Sequence, residues 1–185
     1  MNLPQIMSKT EDIWLDEGYL LFSLEGPKGV KIERLAKRLQ RNKSAFYYFF
    51  GTAEIFTSQL LEQHLAKTGV MSEKMREATT LEALTEILIH HKTDLLFNKQ
   101  LRVNRENPAF EACFHKTNEF VGDAFLPVWS TIIGLKEDSD LARLVLKLSV
   151  ENFFLKITNE TFHPNWLKDY FNDFRFVIKK IKKSS

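Results

Sequence analysis

The sequence predicts an all-α protein of about nine helices, on the basis of two observations along its 185 residues. Apolar side chains recur at intervals of three and four residues, which is the spacing of a helix with one buried face. Strand signals are weak, because no sustained alternation of apolar and polar residues occurs and no Asn-Gly or Asp-Gly turn joins two apolar runs. We therefore expect helices packed on helices.

The composition is that of a globular protein. Apolar residues make up 44% of the chain and charged residues 27%, and the length suffices to bury a core. No segment after Met1 has the layout of a secretory signal, and no run approaches the ~20 apolar residues that cross a bilayer. We therefore expect a cytoplasmic protein without a membrane contact. The single cysteine, Cys113, is expected to pack as a small buried hydrophobe.

Three helices are predicted within the first 50 residues. The first has an apolar face and ends where two glycines and a proline break the pattern, at 26–29. A short second helix turns Leu35, Ala36 and Leu39 inward, and Asn42 can cap a third helix with its side-chain oxygen. We assign residues 1–51 to this N-terminal unit and residues 52–185 to a second, helical domain.

The second domain begins with Thr52, which can cap a fourth helix that is expected to end near Gly69. Another helix is predicted from Leu81 to Phe97. The pair Asn107-Pro108 has the residues of a further helix start, and Pro127 is expected to kink or split the helix that follows.

The last two predicted helices differ in pattern. Apolar residues occupy nearly every side from Leu141 to Ile157, so this helix must be buried on more than one side. From Trp166 to Ile181 the apolar residues instead follow near-heptad spacing. Both patterns favour a homodimer that forms through these two helices. Burial inside the bundle of one monomer is the alternative.

Positive charge is concentrated in one short segment. The whole chain carries a net charge of +2, whereas seven basic residues and one acid between Gly26 and Thr52 give that segment +6. Such a concentration is typical of a surface that contacts phosphates. A solvated helix face is the alternative that charge alone leaves open.

The two segments IERLAKRL, at 32–39, and QRNKSAFYYFF, at 40–50, resemble the helix-turn-helix of the tetracycline-repressor (TetR) family. Ala36 is small enough for close helix packing, while Leu35, Leu39 and Phe46 can fill the space between the two helices. Gly26 and the segment at 50–54 correspond to the family's end of the first helix and start of the fourth. The resemblance covers about residues 12–60.

This resemblance implies a DNA-binding transcriptional regulator, in which the second helix of the motif lies in the major groove of double-stranded DNA. A repressor role is expected. The residues that would contact bases or phosphates are Lys31, Arg34, Lys37, Arg41, Lys43, Ser44, Ala45, Tyr47 and Tyr48. A core position is an equal alternative for the Tyr47 ring.

Three positions depart from the family pattern. Gln40 stands where the family usually has glycine, so a left-handed conformation there costs about 1 kcal/mol. Lys31 replaces the usual hydroxyl residue and Ala53 a customary lysine. A helical ligand-binding or interaction protein that no longer reads DNA is therefore the alternative function.

Catalytic and metal sites are not predicted. Two rows place an acid, a histidine and another acid four residues apart, namely Glu86, His90 and Asp94 and then Glu111, His115 and Glu119. Helical bundles can hold metals in this way, but solvated ion pairs are the more frequent case. No phosphate-binding loop or nucleophile motif is present. We expect neither an enzyme nor a cofactor.

His91 suggests an effector site, because it falls on an apolar helix stripe where a polar side chain needs a partner. The family resemblance implies a pocket in the second domain for a small, largely apolar or aromatic effector. The candidate lining residues are His91, Phe114, Phe125, Trp129 and Phe153. A histidine satisfied within the core is the alternative.

Overall fold

A computed structural model of the chain describes residues 3–135 and 140–184, and these ranges contain nine α-helices and no strand. The all-α prediction is thereby confirmed. A short 3-10 turn, Pro27–Gly29, joins the first two helices. The helices are α1 Leu3–Glu25, α2 Ile32–Arg38, α3 Lys43–Phe50, α4 Ala53–Glu77, α5 Leu81–His90, α6 Lys92–Val103, α7 Pro108–Ile133, α8 Asp140–Lys156 and α9 Pro164–Ser184.

Three helices begin at the capping residues that the sequence predicts. The Asn42 side chain accepts a hydrogen bond from the Ala45 amide at 2.8 Å, and the Thr52 hydroxyl accepts one from the Ile55 amide at 3.2 Å. The side chain of Asn107 caps α7 in the same way. These bonds satisfy amides that would otherwise lack a partner within the helix.

The fourth helix does not end near Gly69, as the sequence suggests, but continues to Glu77. Gly69 lies inside it, and glycine there costs only about 1 kcal/mol relative to alanine. Met71 and Met75, on the next two turns, are almost fully buried. Burial of these side chains outweighs the weak helix propensity of a single glycine.

The segment from Leu81 to Phe97 also differs from the prediction of a single helix, because it divides at His91 into α5 and α6. The His91 imidazole lies 2.6 Å from Asp94 in the first turn of α6. In contrast, Pro127 does not split α7. The residue four positions earlier, Asp123, is exposed, so a carbonyl deprived of its amide partner there can bind water.

Buried side chains form two clusters, and the first joins the N-terminal helices to the rest of the chain. It contains residues of α1 to α4 together with Phe97 and Leu101 of α6 and three residues of α7. The Phe97 ring stacks on Tyr19 and Phe22 of α1, with centroid distances of 4.4 and 4.2 Å. The second cluster fills the space among α4 to α9. Thus α1 packs directly on α6, a helix of the second predicted domain.

Within the described ranges, no helix is both long enough and apolar enough to cross a membrane.

Candidate functional site

The second and third helices form a compact helix-turn-helix around two side chains that are fully buried, Leu35 and Phe46. The Phe46 ring meets Trp14 of α1 edge-on, at a centroid distance of 5.5 Å. The turn between the helices contains Gln40 with a φ of +53°, which is the left-handed conformation expected at this position. This arrangement leaves one side of α3 facing solvent.

Helix α3 carries five of the nine residues predicted to contact DNA. Lys43 and Ser44 are exposed at its first turn, and Ala45 is half-buried. The Tyr47 and Tyr48 side chains are 51% and 70% exposed. Tyr47 therefore does not belong to the core, and both hydroxyls are available to a partner.

Two acids of α1 reduce the positive charge of the helix-turn-helix. The motif at 32–50 does not contain these acids, so the sequence of the motif alone does not predict the reduction. Arg34 forms two hydrogen bonds of 2.5 and 2.6 Å with Glu25, and Arg38 pairs with Glu17. Adding these two acids lowers the local excess from six positive charges to four. The pKa of the Glu25 carboxyl is lowered by its hydrogen bonds to Arg34.

A third pair joins Lys43 at the start of α3 to Glu33 of α2, at 3.2 Å. Of the residues that the structure describes, neither Lys31, Lys37 nor Arg41 takes part in an ion pair, and all three are exposed. Lys28, in the 3-10 turn, is likewise exposed and outside the ion pairs. The uncompensated positive charge thus lies in this 3-10 turn, at the start and end of α2, and in the turn between α2 and α3.

The arrangement of the helices matches that of a solved structure. A protein of Mesorhizobium loti that is assigned to the TetR family of transcriptional regulators superposes over 95% of this chain and 97% of its own, with a TM-score of 0.58 and 13% sequence identity. The chain has the TetR fold. No family model matches the sequence, and no curated protein matches it. The fold implied by the motif at 32–50 is thereby confirmed.

In this TetR fold, a cavity of about 60 Å³ lies among α4, α5, α6, α7, α8 and α9. Most of its surface is apolar, with methionine and leucine side chains from α4 to α6 and six aromatic rings from α7 to α9. The aromatic residues of the lining are Phe125, Trp129, Phe153, Phe154, Tyr170 and Phe171. No lysine or arginine is among the lining residues that the structure describes.

The five predicted effector residues fall into two groups. Phe125, Trp129 and Phe153 line the cavity. Phe114 is buried in the first cluster instead, and its ring centroid lies 6.5 Å from that of Phe154, a residue of the cavity lining. His91 is buried next to the cavity wall, where Asp94 is its hydrogen-bond partner.

A buried chain of hydrogen-bonded polar side chains connects the cavity wall with α1. Of its members, only His91 was predicted as a binding residue from the sequence. The Tyr19 hydroxyl donates a hydrogen bond of 2.8 Å to Oδ1 of Asp94 and lies 2.8 Å from Nδ1 of His64. The other carboxylate oxygen, Oδ2, is 2.6 Å from Nδ1 of His91. Both Asp94 and His64 line the cavity.

His64 is fully buried, as is Tyr19. Burial lowers the pKa of its imidazole to about 4, although the Asp94 charge and the Asn98 side chain act in the opposite direction. Its second ring nitrogen, Nε2, has no hydrogen-bond partner among the described residues. The same signal that singled out His91 could have found it, because His64 lies four residues after buried Leu60 on an apolar helix face.

The two predicted rows of acids and histidines lie in different surroundings. Asp94 is buried and turned toward His91 and Tyr19, so its assignment to a solvated row was wrong. In the second row, His115 lies 3.9 Å from Glu111 on the exposed surface of α7. The described part of the chain contains no cluster of three or more histidine, cysteine or acidic residues that could hold a metal ion.

Proposed function

We propose that this protein is a homodimeric, DNA-binding transcriptional repressor that responds to a small, largely apolar or aromatic effector. The observation that carries the proposal is the exposed side of α3, with Tyr47, Tyr48 and the residues of its first turn directed to solvent in an intact helix-turn-helix. An exposed second helix of this motif is the element that enters the major groove. The proposal includes a cytoplasmic location and no catalysis.

The proposed contacts divide by chemistry. Lys43, Ser44 and Ala45 lie at the start of α3, where side chains and backbone amides can approach bases and phosphates. The Tyr47 and Tyr48 hydroxyls can donate to phosphate oxygens. The remaining basic side chains provide contacts that do not depend on sequence, and they are Lys31, Arg34, Lys37 and Arg41.

The dimer is proposed to form through α8 and α9. Four leucines on α8, at positions 141, 144, 148 and 155, are between 40% and 67% exposed and follow the spacing of one helix face. Phe176 and Val177 add exposed apolar surface on α9, at 62% and 50%. A second copy of the chain would bury this surface, and two helix-turn-helix units would then reach successive major grooves about 34 Å apart.

The effector is proposed to act through α4 and α1. Helix α4 begins directly after the helix-turn-helix and contributes His64, Met71 and Met75 to the cavity wall. Helix α1 is tied to the same wall by the hydrogen bond from Tyr19 to Asp94. A ligand that fits better when these helices shift would change the separation of the two DNA-binding units in the dimer.

Selection from genomic DNA fragments, followed by binding assays over a series of salt concentrations, tests this function. We expect selected fragments to bind at least about a thousandfold more tightly than random DNA. Replacing Lys37 by alanine should weaken binding to all sequences alike and lower the salt slope by about 1, whereas Lys74→Ala, near the far end of α4, should change neither. Equal affinity for selected and random DNA would exclude a sequence-specific regulator.

The ion pairs of Arg34 and Lys43 favour one alternative, a helical ligand-binding or interaction protein that has lost sequence-specific DNA binding. The departures at Lys31, Gln40 and Ala53 point in the same direction. A structure of the dimer separates the two functions. Recognition helices that face directions incompatible with one DNA duplex would support the alternative.

A further inference from the structure

The hydrogen bonds among Tyr19, Asp94 and His64 determine which hydrogen-bonding group the cavity wall offers to a bound molecule. Tyr19 has a single hydroxyl proton, and it is donated to the Asp94 carboxylate, which can only accept. Toward His64, 2.8 Å away, the same hydroxyl oxygen must therefore act as the acceptor. It follows that Nδ1 of His64 carries the ring proton.

The other ring nitrogen of His64 is then a lone-pair acceptor. In a neutral imidazole one nitrogen donates and the other accepts. Burial keeps this ring neutral by lowering its pKa to about 4. The acceptor, Nε2, is buried without a partner within hydrogen-bond distance among the described residues, because the nearby Asn98 amide is bonded to Thr117 and Asn118 instead. The ring belongs to the cavity wall. A buried acceptor without a donor is costly, so a ligand that supplies the donor gains affinity.

The remaining wall restricts the charge of such a ligand. The lining residues in the described ranges include the acid Asp94 and neither lysine nor arginine, so a carboxylate would find no cation in the wall. A positively charged amine would find the Asp94 carboxylate already accepting bonds from Tyr19 and His91. Six aromatic rings and two methionines instead offer apolar contact.

We infer that the cavity binds a neutral, largely apolar molecule that carries one hydroxyl or N–H donor, and that this donor binds Nε2 of His64. The inference deepens the proposed effector site and rests on it for its biological meaning. A cavity of about 60 Å³ holds only a few atoms, since about 150 Å³ accommodates benzene. Met71 and Met75 supply the further space, because methionine side chains are flexible.

Calorimetric titration of the full chain without DNA, using ring compounds of similar size, tests the inference. Phenol supplies a donor, toluene has a methyl group in its place, and anisole can only accept. We expect phenol to bind about tenfold more tightly than toluene or anisole. Benzoate and benzylammonium should bind more weakly than phenol. Because no DNA is present, a failure of DNA binding leaves this result unaffected.

Two variants test whether His64 causes the preference for phenol over toluene. His64→Phe should bind phenol and toluene equally, while His115→Ala, which removes an exposed histidine outside the cavity, should keep the tenfold difference. Nitrogen NMR of the unaltered protein provides a measurement that does not depend on folding of a variant. It should find the proton of His64 on Nδ1, and phenol should shift the Nε2 resonance.

Four results would overturn the inference: equal binding of phenol and toluene, equal binding of phenol and anisole, tighter binding of a charged probe, or no binding of any probe. Equal binding of phenol and anisole would assign the preference to a donor of the wall, such as the unpaired indole N–H of Trp129. A proton found on Nε2 of His64 would also contradict it.

Discussion

Two residues are held by the fold in states that they would rarely adopt in an unfolded chain. Gln40 adopts a left-handed backbone conformation, and His64 is kept neutral within the core. Both states persist because surrounding structure determines them, the first by the helix-turn-helix packing and the second by burial between α1, α4 and α6. Each makes a prediction about the stability of the folded protein.

Replacing Gln40 by glycine should stabilise the protein. Glycine adopts positive φ without steric cost, whereas a side chain pays about 1 kcal/mol or more, so we expect a gain of up to about 1 kcal/mol in the free energy of unfolding. Urea denaturation measures this free energy. Gln40→Ala should bring no such gain, since alanine has the same steric restriction. A loss of stability in Gln40→Gly would contradict the observed turn geometry.

His64 should make the stability depend on pH. The imidazole takes up a proton near its ordinary pKa of 6.5 in the unfolded chain but only near 4 in the folded protein. Between these values the unfolded state binds more protons, so stability is full above about pH 6.5 and falls as the pH drops toward 4. The expected loss between pH 7 and pH 5 is about 2 kcal/mol.

Urea unfolding at several pH values measures this loss. His64→Gln removes the titrating group and should flatten the dependence between pH 5 and 7. The paired surface carboxylates, such as Glu25, have pKa values lowered from 4.5 and therefore affect stability only below this window. An unchanged slope in the variant would show that other groups control it.

Among the helices, the contact of α1 with α4 depends on one glycine. A Cβ atom at Gly18 would lie 2.4 and 2.7 Å from two atoms of the buried Phe56 ring, so no larger residue fits without movement. A Cβ atom at Gly69, on α4, would have no atom within 4 Å apart from the adjacent residues and backbone of its own helix. The two glycines therefore form a matched pair for substitution by alanine.

Gly18→Ala should destabilise the protein by roughly 1–3 kcal/mol, because it overpacks the contact between the two helices. Gly69→Ala should instead stabilise it by up to about 1 kcal/mol, since alanine has the higher helix propensity. Thermal and urea unfolding of both variants measure these effects. Phe56→Leu, combined with Gly18→Ala, should restore part of the loss. Equal effects of the two alanine substitutions would contradict the close approach of α1 and α4.

The sequence predicts helix starts better than helix ends. The starts at Asn42, Thr52 and Asn107 depend on local hydrogen bonds, which the residue types reveal. The continuation of α4 past Gly69 depends on burial of Met71 and Met75 against distant helices, which local patterns do not contain. In the same way, the motif at 32–50 is local, whereas the polar chain of Tyr19, His64 and Asp94 joins residues up to 75 positions apart.

For the whole molecule, the exposed apolar side of α8 predicts an association that can be broken. Leu148 is 58% exposed in the middle of this surface, so Leu148→Glu would place a charge within the proposed interface. We expect the variant to be monomeric by sedimentation at micromolar concentration. Val70→Glu, at a 50% exposed position on α4, should remain dimeric. An unaltered protein that is itself monomeric would refute this interface.

The proposed function requires that two copies of α3 read one DNA duplex. Hydroxyl-radical footprinting of the unaltered protein on a fragment selected from genomic DNA tests it most directly. We expect two protected half-sites on one face of the duplex, with centres about 34 Å apart, and loss of both in a Tyr47→Ala, Tyr48→Ala double variant. A single protected site, uniform protection, or an unchanged footprint in that variant would contradict it.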